Sequence, residues 1–332
     1  MKRLLRSLTA LAGGRLPLNT LIGITGQRMI MPFYHLVAEN TPPHIIHLYE
    51  AKNLTSFKAD LDCLLKHFKP LQLADLHRHA FEEKHIVKPS FFLSFDDGLS
   101  SFYHVVAPVL EQKGIPATCF LNPAFVDNRA LMHRYKVSLI IDQLIVNKPG
   151  VATIRAIQDI LGTNKISTTL LEKKTSNERD LDKIAEWVGL DIPEYLKKNR
   201  PYMTLQEIKS LQKRGFEFGA HSMDHPLFET IQQEEQVRQV VESVNWVNHN
   251  VGSSVPAFAF PFTDFGVQKE TITKIRDDAG AELLLFGTAG LKKTRNKGYF
   301  QRIPMEVPKA SARDHIVYEY VYYMLKNSIG KS

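Results

Sequence analysis

Phe91-Phe92-Leu93-Ser94-Phe95-Asp96-Asp97-Gly98 is a short apolar run that ends on two carboxylates and a glycine. A run of this composition, closed by a turn signal, reads as a buried strand. The glycine lets the chain turn sharply where the strand stops. The same pattern recurs on both sides. Met-Ile-Met-Pro-Phe-Tyr over 29–34 is a strand candidate that runs into His35. Further candidates lie at 117–121, 216–219, 257–260 and 283–286. Helical patterns separate them. Phe57, Leu61, Leu64, Leu65 and Phe68 recur at helical spacing over 55–68, with Thr55 or Ser56 as cap. A helix over 101–113 is expected to kink at Pro108 and stop at Gly114. Thr204-Leu205-Gln206-Glu207 is a capping box opening a helix that Gly215 closes. Helices are also expected over 228–249, 271–278 and 312–325.

Strand–helix alternation of this kind implies a parallel sheet flanked by helices. The length favours an α/β barrel over an open sheet. The stretch 126–200 breaks the rhythm: it is largely helical in pattern and is read as an insertion over the mouth of the site. Residues 1–27 are read as an N-terminal arm and 28–332 as one barrel domain carrying that insertion.

Composition sets the outer bounds. Of 332 residues, 44% are hydrophobic and 23% charged, which excludes a disordered or low-complexity chain. Lys plus Arg is 42 against 35 Asp plus Glu, a net charge of +7. Spread over this length, such mild basicity does not argue for nucleic acid, and no P-loop or dinucleotide glycine motif occurs. Two cysteines, Cys63 and Cys119, make neither a disulfide framework nor a cysteine zinc cluster. No apolar run reaches the roughly 20 residues that span a bilayer. The start Met1-Lys2-Arg3-Leu4-Leu5-Arg6 is basic, but Gly13, Gly14 and Arg15 interrupt the chain before a signal core of about 7–15 residues can form. The expectation is a cytoplasmic chain, the alternatives being a cleaved signal with a periplasmic location, or peripheral contact to anionic lipid through the basic arm.

Chemistry collects at three strand ends, where parallel α/β folds place function. In Asp96-Asp97 two adjacent carboxylates point in different directions, so one can bind a metal while the other remains a base. Taken alone, the pair also fits a strand-to-helix turn with capping acids. His221-Ser222-Met223-Asp224-His225-Pro226 holds two histidines four apart, which can present both imidazoles to one ligand. Taken alone, they also fit a polar surface loop. Phe258-Ala259-Phe260-Pro261-Phe262 is a strand that stops at a proline.

The order of the three resembles the polysaccharide deacetylases, the NodB-homology or family-four carbohydrate esterase group. Ser94-Phe95-Asp96-Asp97-Gly98 is similar to that family's first motif, and His221-Ser222-Met223-Asp224-His225 to its second. Tyr34-His35 resembles the Tyr-His that closes the first strand in many members. The resemblance implies a distorted (β/α) barrel and a hydrolase with one divalent metal, zinc first, with cobalt, nickel or iron compatible. It implies Asp97, His221 and His225 as ligands and Asp96 as general base. It also implies that the Phe262 N–H stabilises the oxyanion. The implied substrate is an N-acetylated sugar of a polysaccharide or its precursor.

The pattern departs from the family in two places. Many members carry an arginine in the third motif to orient the base, and none stands there. Arg302 and Arg134 are the candidates to replace it. Many also carry a late Leu-His supplying a general acid. His315 is the late histidine here and reads as a solvated helix residue; His35, at a strand end on the active face, is the better candidate for the acid, and equally fits a half-buried histidine bonded to backbone. Two other functions remain open: a deacylase or deformylase of a lipid-linked or small-molecule amide, and a non-catalytic carbohydrate-binding barrel.

Overall fold

The computed structural model describes residues 17–172, 178–253, 255–294, 296–307 and 310–328. Its strands, in chain order, are β1 (Met29–Ile30), β2 (Pro32–Tyr34), β3 (Lys69–Leu71), β4 (Ser90–Phe92), β5 (Ser94–Phe95) and β6 (Thr118–Leu121). They continue with β7 (Glu217–Ala220), β8 (Ala257–Ala259), β9 (Leu284–Gly287), β10 (Tyr299–Gln301) and β11 (Ile303–Pro304). Eight of these pair in the order β10-β9-β8-β7-β6-β5-β2-β11, and every pairing is parallel. β10 and β11 belong to one run of chain, separated only by Arg302. The first half pairs with β9 and the second with β2. The Arg302 N–H donates to the Gly287 carbonyl at 3.0 Å and the Ile303 N–H to the Met31 carbonyl at 2.8 Å. The sheet is thereby drawn into a nearly closed barrel, distorted at the seam. β1, β4 and β3 form a small parallel sheet that leads into β2 and β5.

The strands read as continuous apolar runs because both of their faces are buried. Side chains alternate between two cores. Phe92, Phe120, Ala259, Leu284 and Phe286 fill the inside of the barrel. Phe91, Leu93, Cys119, Leu121, Phe258 and Leu285 face outward and pack beneath the surrounding helices. The expected strand over 91–95 is therefore real but divided at Leu93 between the two sheets.

The helices follow their caps. The Thr204–Glu207 capping box opens the Leu205–Lys213 helix. In the predicted helix 101–113 the chain makes a π-helical turn over Phe102–Val106 and continues as Ala107–Lys113, and Pro108, which has no N–H to donate, sits at the join. Gly114 then ends it at φ 64°. Within 126–200 the helices His133–Asn147, Val151–Leu161, Ile166–Leu171, Glu178–Trp187 and Ile192–Asn199 pack around their own core of Ile140, Ile157, Leu170, Leu181 and Ile184. Leu131, Met132 and Tyr135 join a second cluster with Leu36, Leu99 and Tyr202, which seats this subdomain on the barrel mouth.

Of the arm, residues 1–16 lie outside the described residues. Leu18–Thr25 is a helix whose Leu18, Leu21 and Ile22 are buried in the main core. His315 corrects the sequence reading. It is buried, with Nε2 2.9 Å from the Pro304 carbonyl, because the Ala312–Ser328 helix packs against the barrel through Ile316, Val317 and Tyr320. No helix among the described residues is long and apolar enough to cross a membrane.

Candidate active site

Strand alternation delivers the site. Phe92 and Ser94 point into the barrel, so the next inward position on that strand is Asp96. The same period takes Phe33 to His35 beyond β2, and Gly219 to His221 beyond β7. On the closing strand it takes Phe300 to Arg302 and onward to Glu306. Asp97, Ser222, His225 and Phe262 depart from that period. All four have positive φ, at 70°, 65°, 63° and 56°. Non-glycine residues in this region are uncommon and cluster at functional sites. Here the left-handed turns rotate Asp97 and His225 towards His221.

Asp97, His221 and His225 offer ligand atoms that all lie within 4.8 Å of one another. His221 Nε2 and His225 Nε2 stand 3.6 and 3.5 Å from Asp97 Oδ1. The ring of His221 is oriented from behind, since its Nδ1 lies 2.8 Å from the Ala259 carbonyl and must donate to it. Its Nε2 therefore presents a lone pair. Burial pushes both imidazoles towards the neutral form, His225 down to about 3. The other Asp97 oxygen, Oδ2, accepts from the Tyr135 hydroxyl at 2.8 Å. Oδ1 is buried and has no hydrogen-bond partner. A bare carboxylate oxygen facing the unprotonated Nε2 of His221 is repulsive without a cation between them, and His225 Nδ1 is likewise buried with no partner. Two imidazoles and one carboxylate are the donor set of an open divalent site, so these residues fit the metal that the sequence reading anticipates.

Asp96 stands beside this set, its Oδ2 3.8 Å from His221 Nε2, and has a partner of its own. Arg302 donates to it through both terminal nitrogens, at 2.6 Å to Oδ1 and 2.8 Å to Oδ2. Arg302 is fully buried inside the barrel, also bonds Ser94 Oγ at 3.1 Å and lies over the Phe33 ring at 4.3 Å. Burial raises the Asp96 carboxyl, but the Arg302 charge outweighs it and holds the group at about 2. Arg302 thus stands where the third motif lacks its arginine. Arg134 does not: its Nη1 donates to the Leu171 carbonyl on the cavity wall.

His35 Nδ1 lies 2.6 Å from Glu306 Oε2. Glu306 Oε1 accepts from the backbone N–H groups of His35 and Leu36, at 2.6 and 2.8 Å. Burial alone would lower the imidazole pKa, but the Glu306 charge and hydrogen bond raise it to about 10, so His35 is a cation at neutral pH. Phe262 packs edge-on against His225, with ring centroids 4.4 Å apart. A cavity of about 340 Å³ is lined by His35, Asp96, Asp97, His225 and Phe262 together with Arg134 and Tyr135. The structure thus gathers all six residues singled out from the sequence: Asp96, Asp97, His221, His225, His35 and Phe262.

Two contributors escaped the sequence reading. Glu306 could have been found by carrying the alternation of the closing strand past Pro304. Tyr135 had no local signal, since the insertion brings it to the site across 38 residues of chain. Asn122 and Ser222 shape the histidine loop. Asn122 Nδ2 donates to the carbonyls of His221 and Ser222, and Ser222 Oγ accepts from the His225 N–H at 3.0 Å.

A nearly closed parallel barrel ringed by helices is the architecture of the NodB-type barrels. The chain belongs to the polysaccharide deacetylase family, whose profile matches residues 84–283, more than half of its length. Among solved structures it is similar to the Streptococcus pyogenes deacetylase PplD, solved in complex with acetate. That likeness has a TM-score of 0.57 at 14% identity, over 86% of this chain and 95% of that one. IcaB from Ammonifex degensii gives 0.55 at 14% identity, over 89% of this chain and 98% of that one. A de-N-acetylase from Aggregatibacter actinomycetemcomitans gives 0.54 at 12% identity, over 87% and 99%. At such identities the likeness shows the fold. The comparison with curated proteins gave no match.

Proposed function

We propose that the protein is a divalent-metal-dependent hydrolase that removes acetyl groups from N-acetylated sugars of a polysaccharide or its precursor. Membership of the polysaccharide deacetylase family supports carbohydrate deacetylation. The observation that carries the metal-dependent reading is the unpartnered Oδ1 of Asp97, buried beside two imidazole nitrogens and next to an Asp96 that Arg302 clamps.

A divalent ion held by Asp97, His221 and His225 would supply Lewis-acid polarisation of the acyl oxygen and a water of lowered pKa. The remaining work falls to the chain. Asp96, ionised and fixed by Arg302, accepts a proton from the attacking water as its oxygen bonds to the acyl carbon. The Phe262 N–H donates to the oxygen that gains charge. His35, kept protonated by Glu306, gives its proton to the sugar nitrogen as the C–N bond breaks, releasing acetate and the free amine.

The test is acyl release by the purified, zinc- or cobalt-reconstituted protein on N-acetyl, O-acetyl and N-formyl sugars, free and polymeric. Wild type should release acetate. Asp96→Asn should keep its metal and lose roughly 100- to 10,000-fold in turnover, the usual worth of a general base. Asp97→Ala should lose metal and turnover together. Equal loss of metal in both variants, or silence on every acetylated substrate with metal bound, would overturn the reading.

A further inference from the structure

The cavity that holds the reacting groups contains a cation the reaction does not use. Asp96 is matched by Arg302 and His35 by Glu306. Arg134 is half-buried in the same wall. Of its five donors it uses Nη1, on the Leu171 carbonyl at 2.8 Å. It pairs with no carboxylate among the described residues, and every Asp and Glu of the sequence lies within them. A partly desolvated charge without a counter-charge is costly. Two further features add to the positive potential around it. The His133–Asn147 helix starts at the cavity, where Met132, Arg134 and Tyr135 line the wall, and no side chain caps its N-terminus. The positive end of the helix dipole lies at this wall, where Glu178 also bonds His133 and Lys136 of the first turn. A divalent ion on the Asp97 set would leave the cavity with net positive charge.

We propose that Arg134 is a specificity-determining residue. The acylated sugar this cavity accepts carries an anionic oxygen group, phosphate or carboxylate, on the reacting sugar or the one beside it. A guanidinium binds either group through two parallel hydrogen bonds. A volume of about 340 Å³ is near the lower end of small-ligand cavities, so the anion must sit close to the acyl group. The proposal rests on the deacetylase reading for the acyl group, but its anion selectivity can be measured without turnover.

The experiment compares matched pairs on the metal-loaded protein. N-acetylglucosamine is set against its 1-phosphate, its 6-phosphate and its 3-lactyl ether, which carries a carboxylate. Wild type should favour at least one anionic member by about tenfold or more in kcat/KM, and which member it favours identifies phosphate or carboxylate. Arg134→Gln should raise KM for that member alone and leave the neutral sugar unchanged, while Arg134→Lys should restore part of the preference. In parallel, calorimetry with the de-acetylated amines, glucosamine against its phosphates and lactyl ether, reads binding alone. There the anion preference should appear in wild type and vanish in Arg134→Gln. Equal affinity for neutral and anionic amines in wild type would overturn the proposal, as would equal losses on all sugars in Arg134→Gln. No acetate from any sugar, with the binding preference intact, would instead count against the deacetylase reading and leave the role of Arg134 standing.

Discussion

His35 and Glu306 stand 271 residues apart and meet at 2.6 Å. Their contact sets the protonation of the group proposed to serve the leaving nitrogen. The imidazole pKa is raised from 6.5 to about 10, because the Glu306 charge and hydrogen bond overcome burial. The protonated form is the useful one, so a raised pKa extends activity to higher pH. Glu306→Gln removes the largest raising charge and leaves burial opposed only by the weaker pull of Asp97 and Asp96. Its alkaline limb should therefore fall at lower pH than that of wild type, read from kcat/KM between pH 6 and 10 on holoenzyme of both. The fold follows the same sign. A raised folded pKa contributes stability that is complete below about 6.5 and is lost as pH rises through about 10. Glu306→Gln should lack that dependence in denaturant titrations. An unchanged alkaline limb would remove His35 from the acid role.

At the scale of single elements, β7 shows how packing positions chemistry. Its Gly219 points into the barrel opposite Phe120. A Cβ there would come within 2.5 Å of the Phe120 ring and 2.9 Å of the Ala257 carbonyl. One contact is a packed aromatic and the other is backbone, so neither yields cheaply. Gly219→Ala should cost about 1–3 kcal/mol of stability by overpacking, measured by denaturant unfolding. Because His221 is the next inward residue on the same strand, metal affinity should fall with it. Retention of full affinity in a destabilised variant would show that the histidine loop is held by Asn122 and Ser222 alone.

The element scale also shows what could be read in advance. The strand ends at Asp96-Asp97 and His221 were legible, because a buried parallel strand announces itself as an apolar run and its turn residues come directly after it. The capping box at Thr204 was legible for the same local reason. Arg302 was named only as one of two substitutes, since nothing in Gln301-Arg302-Ile303-Pro304 says that the strand changes partners there. His315 was misread because helical periodicity does not reveal which side of a helix a barrel will cover.

Over the whole molecule, the barrel, its closing strand and the helical insertion each bring part of the site. The turn after β5 supplies Asp96 and Asp97, and the loop after β7 supplies both histidines. The closing strand supplies Arg302 and Glu306, and the insertion supplies Tyr135, with Arg134 in the cavity wall. A metal that joins β5 to the β7 loop binds the folded state and not the unfolded chain, so it must stabilise by mass action, about 2.7 kcal/mol at a hundredfold excess over Kd. Thermal unfolding should shift upward with added zinc or cobalt and downward with a chelator. Asp97→Ala should abolish both shifts, and a chelator shift that survives in that variant would place the metal elsewhere.

Some features of this protein are local consequences of its sequence. Apolar runs buried on both faces, helix caps, and carboxylates and imidazoles placed one step beyond a strand all arise from neighbours within a few residues. Those features determined the strand–helix series, the family resemblance and the Asp96, Asp97, His221 and His225 set. The tertiary structure alone decided the pairings that cross the chain. These are Arg302 on Asp96 across 206 residues, Glu306 on His35, and Tyr135 on Asp97. Each depends on where the barrel closes and where the insertion docks. That outcome is set by the summed packing of the two cores, which no single stretch of sequence contains.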